Sequence, residues 1–296
     1  MDSRKLRVAF QGEPGAFSEA AAVQLLGENI LTVPRPTFDA LFAAITDGAA
    51  DALLVPVENS LAGSVVRVYD LLLESDLTIT AETILPIEMN LIAMPGASPA
   101  DIHVVSSHPM ALAQCEKFFA AHPQFKRTPA EDTAGSVREM MARGDKSCAA
   151  IAARRAATHY HATILAERIQ DNLENFTRFV LLVSLDTAAR GVAFLNPFAS
   201  GERLLTKMSI ALRLKHQPGA LLAALEPFAR HRINLLKIES RPIHGRPWEY
   251  QFFLDVETEM HARLEPALAD VSKATSDLRV LGLYAPARNN AASQEK

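Results

Sequence analysis

Short apolar runs and amphipathic stretches alternate along this chain from residue 6 to about residue 185. Leu6–Phe10 is the first run, followed by a turn over Gly12–Gly15 and a helical stretch from Ser18 that stops at Gly27. Thr37 is placed to cap a helix that begins at Phe38 and ends near Gly48. Ala52-Leu53-Leu54-Val55 is continuous in apolar residues, as in a strand covered on both faces. Val66–Glu74 has helical amphipathicity. Leu77–Ile84 and Met89–Met94 read as longer strands, broken by Pro86 and by Pro95-Gly96. His103–Val105, Cys148–Ile151 and Phe179–Val183 give further short strands, with helices starting near Pro109, Gly135 and Ala152. This alternation predicts a mainly parallel sheet covered by helices, with chemistry at the carboxyl ends of strands.

The pattern then changes. Residues 186–205 lack periodicity and read as a linker. After them come strand Lys207–Leu214, a helix from Pro218 to about His231, strands Leu235–Ser240 and Tyr250–Glu257, a helix across Ala262–Ala274, and strand Arg279–Tyr284. That order, β-α-β-β-α-β over 206–285, is ferredoxin-like. Residues 286–296 read as a polar tail, and residues 6–185 as the main domain.

Composition narrows the class. With 49% hydrophobic and 22% charged residues in 296, the chain is an ordinary globular protein with room for two cores. A net charge of −4 and the absence of any basic stripe argue against nucleic acid as a partner. Cys115 and Cys148 are the only cysteines, too few for a disulfide framework or a thiolate metal site. No apolar run approaches the roughly 18 residues of a membrane span. The opening residues run straight into a strand without a signal or transit pattern, so the expected compartment is the cytoplasm.

Several segments carry chemistry. Asn175-Phe176-Thr177-Arg178-Phe179 sets a hydroxyl donor and an obligate cation where a polar run meets a buried strand, which suits a small anionic ligand bearing a hydroxyl. Taken alone, it is also what an ordinary strand start with a surface Arg looks like. Val57-Glu58-Asn59-Ser60 runs a buried strand into three polar side chains, followed by Gly63-Ser64, with Ser64 able to cap the next helix. Gln11–Ser18 repeats the strand, glycine turn and capping serine, without the spacing of a dinucleotide or Walker loop. Ser106-Ser107-His108-Pro109 and Asp132–Ser136 are further hydroxyl-rich junctions. The plain reading of His108 is a hydrogen-bonded structural histidine. Cys115 and Cys148 read as core. No metal-ligand constellation and no Ser-His-Asp arrangement can be argued.

Together these segments resemble the prephenate dehydratase family. The likeness rests on Gly12-Glu13-Pro14-Gly15, Glu58-Asn59-Ser60-Leu61-Ala62-Gly63, Ser107-His108-Pro109 with Gln114-Cys115, and Thr177-Arg178-Phe179, in family order over roughly residues 6–285. The C-terminal unit is similar to an ACT regulatory domain through Gly219-Ala220-Leu221-Leu222 and Glu239-Ser240-Arg241-Pro242. Two positions depart from the pattern. Met110 stands where the family has Gln, so that polar contact is not implied here. Asp132-Thr133-Ala134-Gly135-Ser136 replaces the usual Ser-Thr-Ala segment, a variant similar to relatives that accept arogenate.

The resemblance implies an α/β fold: a two-lobed, periplasmic-binding-protein-like catalytic domain plus a ferredoxin-like ACT domain. It implies decarboxylative dehydration of prephenate to phenylpyruvate without a cofactor or metal. In that reading Thr177 hydrogen-bonds the leaving hydroxyl, and Asn59 and Ser60 orient the ring. Glu58, Arg178, Phe179, Thr133 and His108 complete the substrate-binding set. Phe176 and Phe179 exclude water. Phenylalanine would bind at Gly219, Ala220, Leu221 and Leu222 with Asn234, Glu239 and Ser240. The pocket would lie at a subunit interface, in a homodimer or homotetramer. With few residues before Leu6, a fused chorismate mutase domain is not expected. The same chemistry on arogenate, and a non-catalytic amino-acid sensor, are the alternatives.

Overall fold

The computed structural model describes residues 5–189, 206–243, 245 and 249–287, and every structural statement below concerns those residues. They fall into two compact units, residues 1–75 with 83–181, and residues 76–82 with 182–296.

The first lobe of the first unit opens with β1 (Leu6–Gln11), α1 (Phe17–Leu26), β2 (Ile30–Arg35), α2 (Phe38–Thr46) and β3 (Ala52–Asn59). It continues through the two-residue β4 (Gly63–Ser64) and α3 (Val66–Glu74); β5 (Leu77–Pro86) follows, its residues up to Glu82 belonging to the second unit. β1 pairs in parallel with β2 and with β3. Ala52, Leu53, Leu54 and Val55 are fully buried, as the apolar run predicts. Thr37 caps α2, accepting the Ala40 N–H at 3.1 Å. The other two serine caps are not made. α1 starts at Phe17 after Ala16, so Ser18 lies inside the first turn, and α3 follows Val65, because Ser64 pairs with Glu58 across β3 and β4.

The second lobe contains β6 (Asn90–Ala93), β7 (Val104–Ser107), α4 (Pro109–Ala113), α5 (Glu116–Ala121) and β8 (Lys126–Pro129). α6 (Thr133–Arg143), β9 (Cys148–Ala152), α7 (Arg154–His159) and β10 (Thr163–Ala166) complete it. Its sheet runs β10-β6-β9-β7-β8, with β7 parallel to β8 and β9, and β6 antiparallel to β9 and β10. Two crossing segments join the lobes and bond to each other. The Ile87 N–H donates to the Asn175 carbonyl at 2.8 Å, the Ile169 N–H to the Met89 carbonyl at 2.8 Å, and the Met89 N–H to Gln170 Oε1 at 3.0 Å. The chain then returns as β11 (Phe176–Ser184), beside β3 in the first lobe's sheet, and α8 (Leu185–Ala189).

The lobes share a core in which Phe10 and Ala16 pack with Ile92, Val137, Met140 and Ala156. At Gly15 (φ +88°) a Cβ would come within 2.5 Å of the Ala156 Cα, so only glycine lets this turn approach α7. Glu19 fixes the turn from behind. It is 4% exposed and accepts the Gly15 N–H at 2.6 Å and the Thr32 hydroxyl at 2.8 Å, with Arg155 Nε of α7 at 3.2 Å.

The C-terminal unit contains β12 (Lys207–Arg213), α9 (Ala220–Arg230), β13 (Asn234–Pro242), β14 (Tyr250–Glu257), a 3₁₀ turn (His261–Arg263), α10 (Leu264–Ala274) and β15 (Asp277–Tyr284). The sheet order is β13-β14-β12-β15, with antiparallel neighbours, and Gly282 of β15 pairs with Ile79 of β5. Met208, Ile210, Leu212, Phe228, Leu254 and Val271 form its core. One polar network is buried here: Lys207 Nζ donates to both Glu82 oxygens at 2.9 Å, and Ser209 bonds Asp255 and the Tyr284 hydroxyl. The stretch expected as a linker begins as helix α8, and its residues 190–205 lie outside the described residues, as does the expected tail from residue 288.

Candidate active site

Asn59, at the carboxyl end of β3, is the hub of the hydrogen-bonded cluster that forms the candidate site. Its Oδ1 accepts the Leu61 and Ala62 N–H groups at 3.0 and 2.8 Å. Backbone amides can only donate, so these two bonds fix which end of the Asn59 side chain is the oxygen. Nδ2 therefore faces β11, where it lies 2.9 Å from Thr177 Oγ1, 2.8 Å from Asn175 Oδ1 and 3.1 Å from the Phe176 carbonyl. Thr177 is 9% exposed, and its oxygen accepts from Asn59. The Thr177 proton must then point to another acceptor, and accepting one hydrogen bond makes that O–H a better donor.

Around this pair, the remaining expected residues take different places. Ser60 Oγ donates to the Glu174 carbonyl and accepts the Phe176 N–H, both at 3.0 Å, so this hydroxyl clamps the start of β11. Glu58 and Arg178 are half-buried beside the cluster in sequence, while Phe179 is 2% exposed and sits in the strand core below Thr177. Thr133 is the first residue of α6, which Asp132 caps by accepting the Gly135 N–H at 2.6 Å. His108 is exposed and caps α4, its Nδ1 accepting the Met110 N–H at 3.2 Å, while Met110 itself is 50% exposed.

Two members of the cluster, Asn175 and Gln114, stood in the motifs read from the sequence but were given no role in the site there. Asn175, 1% exposed, donates from Nδ2 to Gln114 Oε1 at 3.0 Å. Gln114 ends α4 in the second lobe, and its carbonyl accepts the Asp171 N–H at 2.7 Å. The adjacent Cys115 is fully buried, with its sulfur 3.8 Å from Met89 Sδ. Burial, with the Asp171 charge behind it, pushes the Cys115 thiol up to about 12, which leaves it protonated and unreactive. Among the described residues no group of three or more His, Cys, Asp or Glu side chains could hold a metal ion, and no helix is long and apolar enough to cross a membrane.

In the C-terminal unit the expected effector residues divide between two ends of the sheet. Gly219 precedes α9 with φ +78°, and a Cβ there would meet nothing within 4 Å. Its need for glycine is thus the backbone conformation and not crowding. Ala220 and Leu221 line a cleft of about 150 Å³ with Gln217, Tyr250 and Phe252, and Leu222 is 72% exposed. Ser240 and Glu239 lie toward this end of β13, since Arg241 and Arg213 are both level with Gln251. Asn234 is level with Glu257 and Lys207 at the opposite end, roughly 20 Å away at ~3.3 Å per residue. Within one chain Asn234 does not join the Gly219 cleft.

The prephenate dehydratase family model matches residues 8–186, and the ACT domain model matches residues 208–273. The chain belongs to the prephenate dehydratase family. Family membership makes it a lyase, with a periplasmic-binding-protein-like two-lobed fold and a C-terminal ACT domain. Arogenate dehydratase/prephenate dehydratase 1 of Arabidopsis thaliana is 38% identical over 298 residues, covering 96% of this chain and 73% of the relative. A solved prephenate dehydratase from Arthrobacter aurescens in complex with L-Phe superposes with a TM-score of 0.81 at 32% identity, covering 95% of this chain and 90% of that one. A second structure, described as GqqA, a novel type of quorum quenching acylase, gives a TM-score of 0.82 at 31% identity, covering 96% and 98%.

Proposed function

We propose that this chain removes water and carbon dioxide from prephenate to give phenylpyruvate, with Thr177 as the hydrogen-bond donor to the leaving hydroxyl. The observation that carries the reading is the fixed direction of the Asn59 amide, which uses the Thr177 lone pair and leaves its O–H to the ligand. As the carboxylate leaves, its bonding electrons enter the ring and expel the ring hydroxyl, which departs as water after gaining one proton. A threonine hydroxyl is too weak an acid to ionise fully, so it shares its proton with the developing hydroxide, and solvent makes up the balance. Asn59 orients the donor, Ser60 holds the strand start, and Arg178, Glu58, Thr133 and His108 are the proposed contacts to the substrate's polar groups. Phe176 and Phe179 keep the leaving carboxylate poorly hydrated. No cofactor enters this scheme.

The likeness to a quorum quenching acylase raises acyl transfer as a second reading. A nucleophilic hydroxyl needs a base to take its proton, and the side-chain atom facing Thr177 Oγ1, Asn59 Nδ2, is a donor. That favours the dehydratase reading. Arogenate remains the competing substrate, motivated by the Asp132–Ser136 segment and by the dual name of the Arabidopsis relative.

Phenylalanine is the proposed effector, bound at Gly219–Leu222 with Glu239 and Ser240, and the Arthrobacter structure holding L-Phe supports this. Asn234 would reach that pocket only from a second copy, if two β13 edges pair around a two-fold axis. Exposed Leu236 (44%) and Ile238 (43%) on that edge strand suit such pairing. A cytoplasmic homodimer or homotetramer is the proposed working form. Purified protein is to be given prephenate, arogenate and an N-acyl amide in parallel, with and without phenylalanine. Phenylpyruvate from prephenate, suppressed by phenylalanine, is expected. Turnover of the acyl amide alone would overturn the reading.

A further inference from the structure

The Asn59 amide is held at its oxygen by two backbone donors, but its nitrogen faces three acceptors. An NH₂ group has two protons, so something must decide how they are shared. Asn175 occupies the deciding position. Its Oδ1 takes one Asn59 proton at 2.8 Å, which leaves the other to Thr177 Oγ1 at 2.9 Å and the Phe176 carbonyl at 3.1 Å. The orientation of Asn175 is in turn set by Gln114, whose Oε1 accepts from Asn175 Nδ2 at 3.0 Å. Its backbone is held as well, since the Asn175 carbonyl accepts the Ile87 N–H of the other crossing segment at 2.8 Å. At 1% exposure, Asn175 has no water to replace a lost partner.

We infer that Asn175 is a positioning residue for the dehydration: an amide relay from Gln114 through Asn175 to Asn59 aims the Thr177 hydroxyl at the leaving group. The inference rests on the role given to Thr177 above and adds how that role is enforced. The relay also ties the aim of the hydroxyl to both lobes, because Gln114 caps the end of α4 in the second lobe and Asn59 ends β3 in the first. Without Asn175, one Asn59 proton loses its acceptor and the amide can turn toward the Phe176 carbonyl, leaving Thr177 unoriented. A misplacement of about 1 Å at a reacting centre can cost on the order of 10²-fold in rate.

The test is a double-mutant cycle on the full-length protein with prephenate, using Asn175→Leu and Thr177→Val. Asn175→Leu keeps the branched skeleton, with somewhat bulkier methyl groups, and deletes both amide bonds. The expected result is a kcat reduced roughly 10- to 100-fold, within the range that misplacement produces, with KM within a factor of about two. In the Thr177→Val background the same substitution should have almost no further effect, since the hydroxyl it aims is gone. Gln114→Met interrupts the relay one step further out and should lower kcat in the same direction by less, which keeps the test decisive if Asn175→Leu folds poorly. Equal losses in both backgrounds, or a rise in KM with kcat unchanged, would overturn the inference. A Thr177→Val enzyme with full activity would instead overturn the reading on which it rests.

Discussion

Glu19 should be worth several kcal/mol to the first unit, and the part carried by its charge should be lost in acid. Its carboxylate is buried, accepts the Gly15 N–H and the Thr32 hydroxyl, and faces Arg155. Burial alone would raise its pKa, but the Gly15 amide, the Thr32 hydroxyl and the Arg155 charge together outweigh burial and hold it below its ordinary value of 4.5. Glu19→Met removes every acceptor and strands a buried amide beside a cation, a change that costs about 3–5 kcal/mol when one partner of a buried pair is deleted. For a unit of this size, ~1 kcal/mol moves the midpoint by roughly 2–4 °C, so a fall on the order of 10 °C is expected. Glu19→Gln keeps acceptor geometry, with the Thr32 hydroxyl turned round, and loses only the charge, so its cost should be about 1–2 kcal/mol. The sign of the pH effect follows from the depressed pKa. The carboxylate's stabilisation is fully present above the unfolded value near 4.5 and is lost as pH falls through the folded value. Thermal unfolding followed by circular dichroism from neutral pH down to about pH 2 measures this. The gap between wild type and Glu19→Gln should be constant near neutrality and close below about pH 4.5. A gap that widens in acid, or a Glu19→Met midpoint equal to wild type, would refute the reasoning.

Lys207→Met leaves Glu82 charged and buried, with side chains only 10% and 2% exposed in the pair; urea unfolding should show a loss of about 3–5 kcal/mol, partly recovered by adding Glu82→Met. In native protein at pH 8, a thiol reagent should modify the half-buried Cys148 slowly and leave the buried Cys115 untouched, whereas in denaturant both should titrate. Gly219→Val forces a side chain into a left-handed backbone position beside the α9 amides, so a phenylalanine titration should show weakened inhibition at unchanged basal turnover.

What the sequence made legible follows burial. β3 and β11 are covered on both faces and appear as unbroken apolar runs. β2, β8 and β10 left no such run, and all three are sheet edges. In β8, Lys126-Arg127-Thr128-Pro129 is exposed throughout, so backbone pairing with β7 holds a strand that no side-chain pattern announces. Capping was readable at Thr37, where the hydroxyl precedes the helix, and misread at Ser18 and Ser64, because a hydroxyl near a helix start caps only from the one position outside it. Asn59 and Thr177 were both named through the family motif, but not the hydrogen bond between them. The Gln114–Asn175 contact was not legible either, since an amide pair between segments distant in sequence has neither period nor spacing. The division of Asn234 from Gly219 needed the strand register, which places them at opposite ends of one sheet.

In the proposed reaction the Thr177 hydroxyl acts on the leaving group in the transition state. Thr177→Val preserves the branched shape in a site where the residue is 9% exposed, and it deletes the donor together with the oxygen that accepts from Asn59. Steady-state kinetics on prephenate, read as phenylpyruvate formed, should show kcat lowered by ~10²–10⁴, the scale of positioned proton donation, with KM changed by no more than a few-fold. A Thr177→Val enzyme whose kcat stays within a factor of a few of wild type would contradict the account.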